Sequence, residues 1–491
     1  MTSLPLRIWL RMVLITPVLL CYRPAEAQSA KDSIFILSDT TEVLSLDEFY
    51  KIILSNHPVV KQAGLLNEIA QQEIRLARGN FDPKLVSSFD HKEFEDKTYY
   101  SRFDAYLSFP TWFPLNPKIG YQQNTGDLLN SEDVIPGGKQ LYAGVSVPIG
   151  RGLFTDERRI AVQQAELFKD IATADQIKII NKILLQAAKD YWQWYYAYYQ
   201  YRLSNQGVGI AADIFSRIKV SLQQGEVAGN DTVQAKITMQ SRRVERQEAL
   251  LALQNTGITV SNYLWDLAGR PVQLGLSIAP VMNTQDQTFL RHDLLEDLVA
   301  RAKENHPELV KLSVKLNQLE LDRSLAREFL KPQLDLNYSI LSQPSAPHRI
   351  DPLNDYKIGV DLSFPIFLRK ERSKLALAKI KIDNTQYQRS QSEREITNEI
   401  NATFNELRST VTIIRQQQEV VDLYNCLLNA EILNLENGES DLFKINIQQE
   451  KLLQSQSKLL KLTSDLQKQK ALLYWAAGIQ NLDTQAKETT K

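Results

Sequence analysis

The tripeptide Asn-His-Pro occurs twice in this 491-residue chain, in SNHPVVK at Ser55–Lys61 and in ENHPELVK at Glu304–Lys311. Each copy is followed 25 residues after its proline by a second proline, Pro83 or Pro332, with a Leu-Ala-Arg tripeptide between them at the same offset. All of these matches share a constant shift of 249 positions. Agreement at that many positions without a gap predicts an internal duplication, so the chain is expected to consist of two similar halves.

Both copies follow segments whose apolar residues recur at spacings of three and four, which is typical of amphipathic helices. Proline fits the first turn of a helix because the amide there has no partner inside the helix. The tripeptide therefore predicts a helix restart, at which Asn56 or His57 caps the exposed amides. None of the five histidines has a second histidine or cysteine at ligand spacing, so the sequence predicts no metal site and no cofactor.

After the second proline of each half, the apolar period changes from 3.6 to 2. In the second half, 333–340 and 356–366 alternate apolar with polar residues, as strands with one apolar and one polar face do. In the first half, 103–109 and 141–149 show the same alternation. The first half is longer here and has room for another hairpin turning at FPTWFPLNP (109–117), so four or six strands per chain remain open.

A long helical stretch without proline follows each strand block, at about 156–224 and at about 369–436. Each stretch ends at a polar turn containing glycine, after which the chain reverses. The second return segment has apolar residues at intervals of seven: Ile445, Leu452, Leu459, Leu466 and Leu473. This heptad repeat predicts a coiled-coil hairpin, and at ~1.5 Å per residue each long helix would span roughly 100 Å.

The N-terminus reads as a secretory signal peptide, residues 1–27, with arginines, an apolar run at 12–20 and Ala25-Glu26-Ala27 before the cleavage point. Cys21 suggests lipoprotein processing instead, but the bulky Leu20 before it favours ordinary cleavage.

No later stretch reaches 18 consecutive apolar residues, which excludes an inner-membrane helix. The 57 basic and 58 acidic residues nearly cancel, so no basic field would attract nucleic acid.

The strands are too few to enclose a membrane pore alone. Known membrane barrels begin at about eight strands, and open sheet edges are not tolerated in lipid. Several copies of the chain are therefore expected to share one barrel, with the helices continuing the tube into the periplasm. We find no catalytic motif, and the expected class is a non-enzyme.

In its two Asn-His-Pro restarts, its paired strand blocks and its two long hairpins, the chain resembles the TolC family of outer-membrane efflux channels. The resemblance extends over essentially the whole mature chain. It implies an α+β membrane protein that forms a homotrimer, with a shared outer-membrane β-barrel, a long periplasmic α-helical coiled-coil tunnel and two structural repeats per protomer. In that family each half supplies two membrane strands.

The resemblance also implies a function: the outer-membrane channel of a tripartite efflux or type I secretion system, a passive conduit embedded in outer-membrane lipid. Its partners would be a periplasmic adaptor (membrane fusion protein) and an inner-membrane pump of the RND or ABC type. The alternative is a periplasmic coiled-coil adaptor or scaffold without a pore. The apolar strand faces argue against that alternative.

The repeat divides the chain into a signal peptide at 1–27, a first repeat at 28–269, a linker or equatorial segment at 270–290, a second repeat at 291–478 and a polar tail at 479–491. The first repeat is expected to place membrane strands at about 84–149 and a hairpin at about 156–268, with its tip near 224–231. The second is expected to place strands at about 333–366 and a hairpin at about 369–477, with its tip near 436–441.

The hairpin tips are the candidate adaptor-docking sites that the resemblance implies. The first tip, GEVAGNDTVQAK, has the family's spacing from Gly225 to Asp231. Gly229 offers a competing register, since Gly229 and Gly438 each lie 40 residues before a terminal glycine, Gly269 or Gly478.

The second tip, GESDLFKINIQQ, departs from the family pattern because its acid comes early, at Asp441. Gly438, Glu439 and Asp441 are therefore the local candidates for docking. Glu439 and Asp441 are also the candidates for an acidic ring that constricts the pore.

Overall fold

The computed structural model describes residues 42–225, 227–275, 277–281, 292–345, 351–437 and 439–479. The predicted signal peptide with Cys21, residues 276 and 282–290 of the predicted linker, Gly438 and the tail from residue 480 lie outside the described residues.

The described helices of the first half are α1 (Leu46–Asn56), α2 (Pro58–Arg78), α3 (Glu157–Gln224) and α4 (Gly229–Ser261). Those of the second half are α5 (His292–Asn305), α6 (Pro307–Glu328), α7 (Arg369–Glu436) and α8 (Leu442–Ala476). The helices therefore follow the same order in both halves. A search of the described helices finds none with the length and apolarity needed to cross a membrane.

The prolines of the two Asn-His-Pro tripeptides open α2 and α6, which confirms the predicted helix restarts. The Nδ1 atom of His57 accepts the amide of Val59 at 3.1 Å, and the Nδ1 atom of His306 accepts the amide of Glu308 at 3.3 Å. Asn56 is not the cap; its side-chain amide donates to the carbonyl of Trp265 at 2.8 Å. Capping is thus the role of both histidines, as predicted.

Six strands of the described chain form one antiparallel sheet, in which each strand pairs with the next of the six along the chain. The first half contributes four of them: β2 (Lys84–Phe94), β3 (Lys97–Ser108), β4 (Asn116–Thr125) and β5 (Lys139–Pro148). The second half contributes β7 (Gln333–Ser342) and β8 (Tyr356–Ser363). A separate parallel pair joins β1 (Val43–Leu44) to β6 (Ala279–Pro280).

The open question of four or six strands is thereby answered. The predicted turn at FPTWFPLNP connects β3 to β4, so the longer first half does hold an additional hairpin. The first half supplies four strands, and in this respect it departs from the two per half that the resemblance implied.

The long helices pack side by side in the order α4-α3-α8-α7, and nearer the sheet the order is α2-α3-α6-α7. The seam between α7 and α8 buries Ile445, Leu452 and Leu473, three members of the predicted heptad. The aromatic run at 191–201 forms much of the core around α3. At its centre the buried Tyr191 hydroxyl lies 2.8 Å from the Leu44 carbonyl and accepts the Val281 amide at 3.1 Å, which fastens β1 and β6 to α3.

Candidate functional site: the sheet faces and the hairpin tips

One face of the sheet is apolar from β3 to β8. Paired residues of neighbouring strands lie on the same face, so the register identifies its members. Across the sheet they are Leu107, Ile119, Ala143, Val145, Tyr338, Ile340, Val360 and Leu362. Ile119, Val360 and Leu362 are exposed to solvent in the single chain. An exposed apolar face of this extent needs a partner or a lipid environment.

The opposite face is polar and charged, and its side chains bond to one another across strands. The Tyr142 hydroxyl donates to Asp104 Oδ1 at 2.9 Å, and the Asn337 side-chain amide donates to Asp361 Oδ2 at 2.7 Å. The ring of Tyr142 packs over Gly120, where a Cβ would lie 2.5 Å from a ring carbon. A Cβ there would also lie 2.7 Å from the Cβ of Tyr106, so any larger residue would displace its neighbours. A sheet with one apolar and one hydrated face is what a lipid-embedded, water-filled barrel needs.

The helices mark one end of the sheet. The β3–β4 turn lies against them, because the Trp112 ring is 5.4 Å from the Phe81 ring and Arg158 donates to Asn116 Oδ1 at 3.2 Å. Both Trp112 and Phe113 are exposed at this turn. Aromatic side chains at that level suit the interface of a membrane with water. The β2–β3 turn and the β4–β5 connection consequently lie at the far end.

At the first tip the structure brings Gly225, Gly229 and Asp231 into one turn. Gly225 ends α3 in the left-handed region, at φ 79°, where a side chain would be strained. Gly229 is the first residue of α4, and Asp231 Oδ2 accepts the Ala228 amide at 3.1 Å. The two candidates for the tip glycine thus belong to the same connection between α3 and α4. Asp231 stabilises the backbone at the start of α4.

At the second tip Asp441 caps α8, with its Oδ1 atom accepting the Lys444 amide at 2.9 Å. The Glu439 amide donates to the Asn434 carbonyl at 2.8 Å, which closes the end of α7. Both acidic residues are exposed, so their carboxylates are available to solvent or to a partner. The predicted role of Gly438 falls outside the described residues.

Among the described residues, no three histidine, cysteine or acidic side chains cluster as a metal site would require.

Comparison with known proteins gives a family match over part of the chain and a shared fold over most of it. Residues 298–479 match the family described as Outer membrane efflux protein. Solved channels share the fold, among them CmeC of Campylobacter jejuni, with a TM-score of 0.61 and 14% identity over 91% of this chain and 88% of CmeC. VceC of Vibrio cholerae gives 0.63 and 14% over 89% of this chain and 97% of VceC. MtrE of Neisseria gonorrhoeae gives 0.61 and 13% over 89% of each chain.

The family match lies in the second half of the chain, and the solved channels share the fold of the chain as a whole. No curated protein sequence matches it. The suspected resemblance is thus confirmed, and so is its coarse fold, long helices combined with an antiparallel sheet. The matched family and the solved channels alike are outer-membrane proteins.

Two features of this protein escaped sequence reasoning. The first is the contact of Arg102 and Asn124 with Asp133, since no alternation or motif signals it. The second is an exposed apolar stripe on α4, formed by Ile237, Val244, Leu251 and Ile258. Their spacing of seven was available in the sequence, but only the structure shows that the stripe faces away from α3.

Proposed function

We propose that this protein is the passive outer-membrane conduit of a tripartite efflux or type I secretion system, acting as a homotrimer. Three copies share one β-barrel and one α-helical tunnel, and the two halves of each protomer act as structural repeats. The observation that supports this proposal best is the combination of a sheet that has one apolar and one polar face with helices roughly 100 Å long, at ~1.5 Å per residue.

Unpaired edges in the sheet and in the row of long helices support ring closure. In the sheet, β2 and β8 each have a neighbour on one side only among the described strands. Open strand edges are a ready template for another chain and are excluded from lipid. Pairing of β8 with β2 of the next copy satisfies both edges.

The edges of the helical rows carry matching apolar stripes. On α4, Ile237, Val244, Leu251 and Ile258 recur every seven residues and are 58%, 57%, 55% and 59% exposed. On α7, at the other edge, Ile413, Val420 and Leu427 repeat the same interval and are partly exposed. Heptad seams of this kind bury their apolar residues against a second helix. Packing of α4 against α7 of the next copy buries both stripes.

Six strands per protomer have a consequence for the pore. Three copies give a barrel of 18 strands. The diameter of a barrel grows with strand number, and barrels of 16–18 strands leave an aqueous channel. The barrel of this protein is accordingly wider than one built from four strands per copy.

The hairpin tips dock the periplasmic adaptor, which connects the channel to an inner-membrane RND or ABC pump. Gly225, Gly229, Asp231, Gly438, Glu439 and Asp441 are the proposed docking residues. The pump supplies the energy and selects the cargo.

Glu439 and Asp441 are proposed to line the periplasmic constriction, where three copies would form a ring of negative charge. We expect Asp441→Asn to lower cation selectivity. Asparagine remains a good N-cap, so α8 keeps its start while the charge is removed. The reversal potential in a salt gradient measures the effect, and unchanged selectivity would remove Asp441 from the pore lining.

The proposal is tested by reconstituting the detergent-purified protein into planar bilayers. We expect a trimer by mass measurement and discrete conductance steps. A monomer that washes from membranes in carbonate and gives no conductance would instead support the pore-free scaffold.

A further inference from the structure

The connection between β4 and β5, residues 126–138, folds over the polar face of the sheet. Arg102 and Asn124 are paired residues of β3 and β4, so their side chains lie on the same face. That face is the polar one, because Asp104 and Gln122 form the next pair in the same orientation. Both side chains bind Asp133, a residue of this connection.

The contacts anchor the connection at two points. Arg102 Nη1 lies 3.1 Å from Asp133 Oδ2, an ion pair in which both side chains are partly buried. The side-chain amide of Asn124 donates to the Asp133 carbonyl at 2.9 Å, and Asn124 is only 3% exposed. A hydrogen bond to a charged group is stronger than one between neutral groups. Asp133 is therefore held by its side chain and by its backbone.

The start of the connection is fixed as well. The Asp127 amide donates to the Thr98 carbonyl at 3.1 Å, and the Leu128 amide donates to the Tyr99 carbonyl at 3.1 Å. Gly126 has φ 140°, and a Cβ there would lie 2.6 Å from the Tyr99 carbonyl oxygen. The first residues of the connection are thus bonded to the backbone of β3, before the chain reaches Asp133 on the polar face.

We propose that residues 127–138 form a constriction at the outer mouth of the channel, and that Arg102 and Asn124 set its width by anchoring Asp133. This inference depends on the proposed function, in which the polar face lines the pore. The connection lies at the sheet end away from the helices, so it is the outer end. Three such segments occupy part of the larger opening that an 18-strand barrel would have.

The test uses accessibility from outside intact cells. Ser146, on the polar face near the helix end, is replaced by cysteine in a Cys426→Ser background. A small charged methanethiosulfonate reagent reports whether the position faces water. A maleimide with a long polyethylene glycol chain reports whether a bulky molecule passes the outer mouth.

We expect the small reagent to label Ser146→Cys and the bulky reagent to label it slowly. Asp133→Ala should raise the bulky-reagent rate by roughly tenfold, which corresponds to about 1.4 kcal/mol of lost anchoring. Arg102→Ala should do the same. The exchange Arg102→Asp with Asp133→Arg should restore slow labelling, which controls for a variant that merely misfolds.

Glu132→Ala is the matched control, because it removes a neighbouring exposed charge that makes none of the anchoring contacts described above. It should leave the bulky-reagent rate at the parent value. Failure of the small reagent to label Ser146→Cys would contradict the proposed pore itself. Normal labelling by the small reagent, with equal bulky-reagent rates in parent, Asp133→Ala and Arg102→Ala, would overturn the constriction alone.

Discussion

At the scale of single residues, the two capping histidines show how a motif with the look of a functional site can be structural. Each ring accepts a backbone amide through Nδ1, which requires the neutral form of that nitrogen. Burial lowers the pKa of His57 and of His306 below the ordinary value of about 6.5. Lys178 beside His306 acts in the same direction, and Glu308 opposes it.

These pKa values predict how stability depends on pH. At pH values between the lowered pKa of the folded state and about 6.5, the unfolded chain binds more protons than the folded chain. The contribution of the two histidines to stability is therefore full above this window and is lost as the pH falls through it. Replacing both residues, His57→Asn and His306→Asn, keeps a good N-cap but removes the titration. We expect the fall in melting temperature between pH 7.5 and pH 5.5 to become smaller. His91→Asn, on the exposed β2, is the control, and an unaltered pH dependence in the double variant would contradict this account.

The tip acids show what sequence reasoning misses at this scale. The spacing after Gly225 predicts Asp231 as a docking residue, and the early acid of the second tip predicts Asp441. Both also bond to backbone amides at the start of a helix. The cap could have been read from the sequence, since each acid lies at a predicted helix start. Their docking role remains a prediction, because it depends on a partner surface.

At the scale of elements, the long helices and the last strands were predictable because their periodicity is strong. The strand β2 could not be recognised from periodicity. Its side chains on the apolar face of the sheet include Ser87 and His91, which interrupt the alternation of apolar and polar residues. Strand pairing across the two halves, β5 with β7, depends on contacts distant in sequence and could not be derived from local pattern.

The stripe on α4 gives a prediction about assembly. Leu251→Glu places a charge in the middle of the proposed seam with α7 of the next copy, where an unpaired charge would be buried at a cost. We expect the detergent-solubilised protein to shift from trimer to monomer while its helix content by circular dichroism stays unchanged.

Ala252→Glu is the matched control, because Ala252 is also exposed but lies a quarter turn away from the stripe. It should remain trimeric. A Leu251→Glu variant that is as trimeric as the parent would exclude this stripe from the interface.

At the scale of the whole molecule, the free edges of the sheet and of the two helical rows have a common arrangement. β2, α2 and α4 of the first half form one side of the protomer, and β8 and α7 of the second half form the other. An interface between unlike surfaces generates a ring when the rotation closes. The sequence predicted that several copies must share the barrel, but the identity of the closing elements required the order of the strands and helices.

This arrangement predicts that β2 of one copy crosslinks to β8 of the next. Ser88 and Gly359 both lie on the polar face, Ser88 through its pairing with Asp104 and Gly359 through its pairing with Asn337. In a Cys426→Ser background, Ser88→Cys is combined in turn with cysteine at Lys357, Gly359 or Asp361, which covers neighbouring registers. A disulfide requires Cβ atoms about 4 Å apart, so one combination should give covalent dimers and trimers on a non-reducing gel.

Ser87→Cys with the same partners is the control, since Ser87 lies on the opposite face and should not crosslink. Covalent species larger than a trimer, or no crosslink in any register, would contradict closure of the barrel by three copies through these two strands.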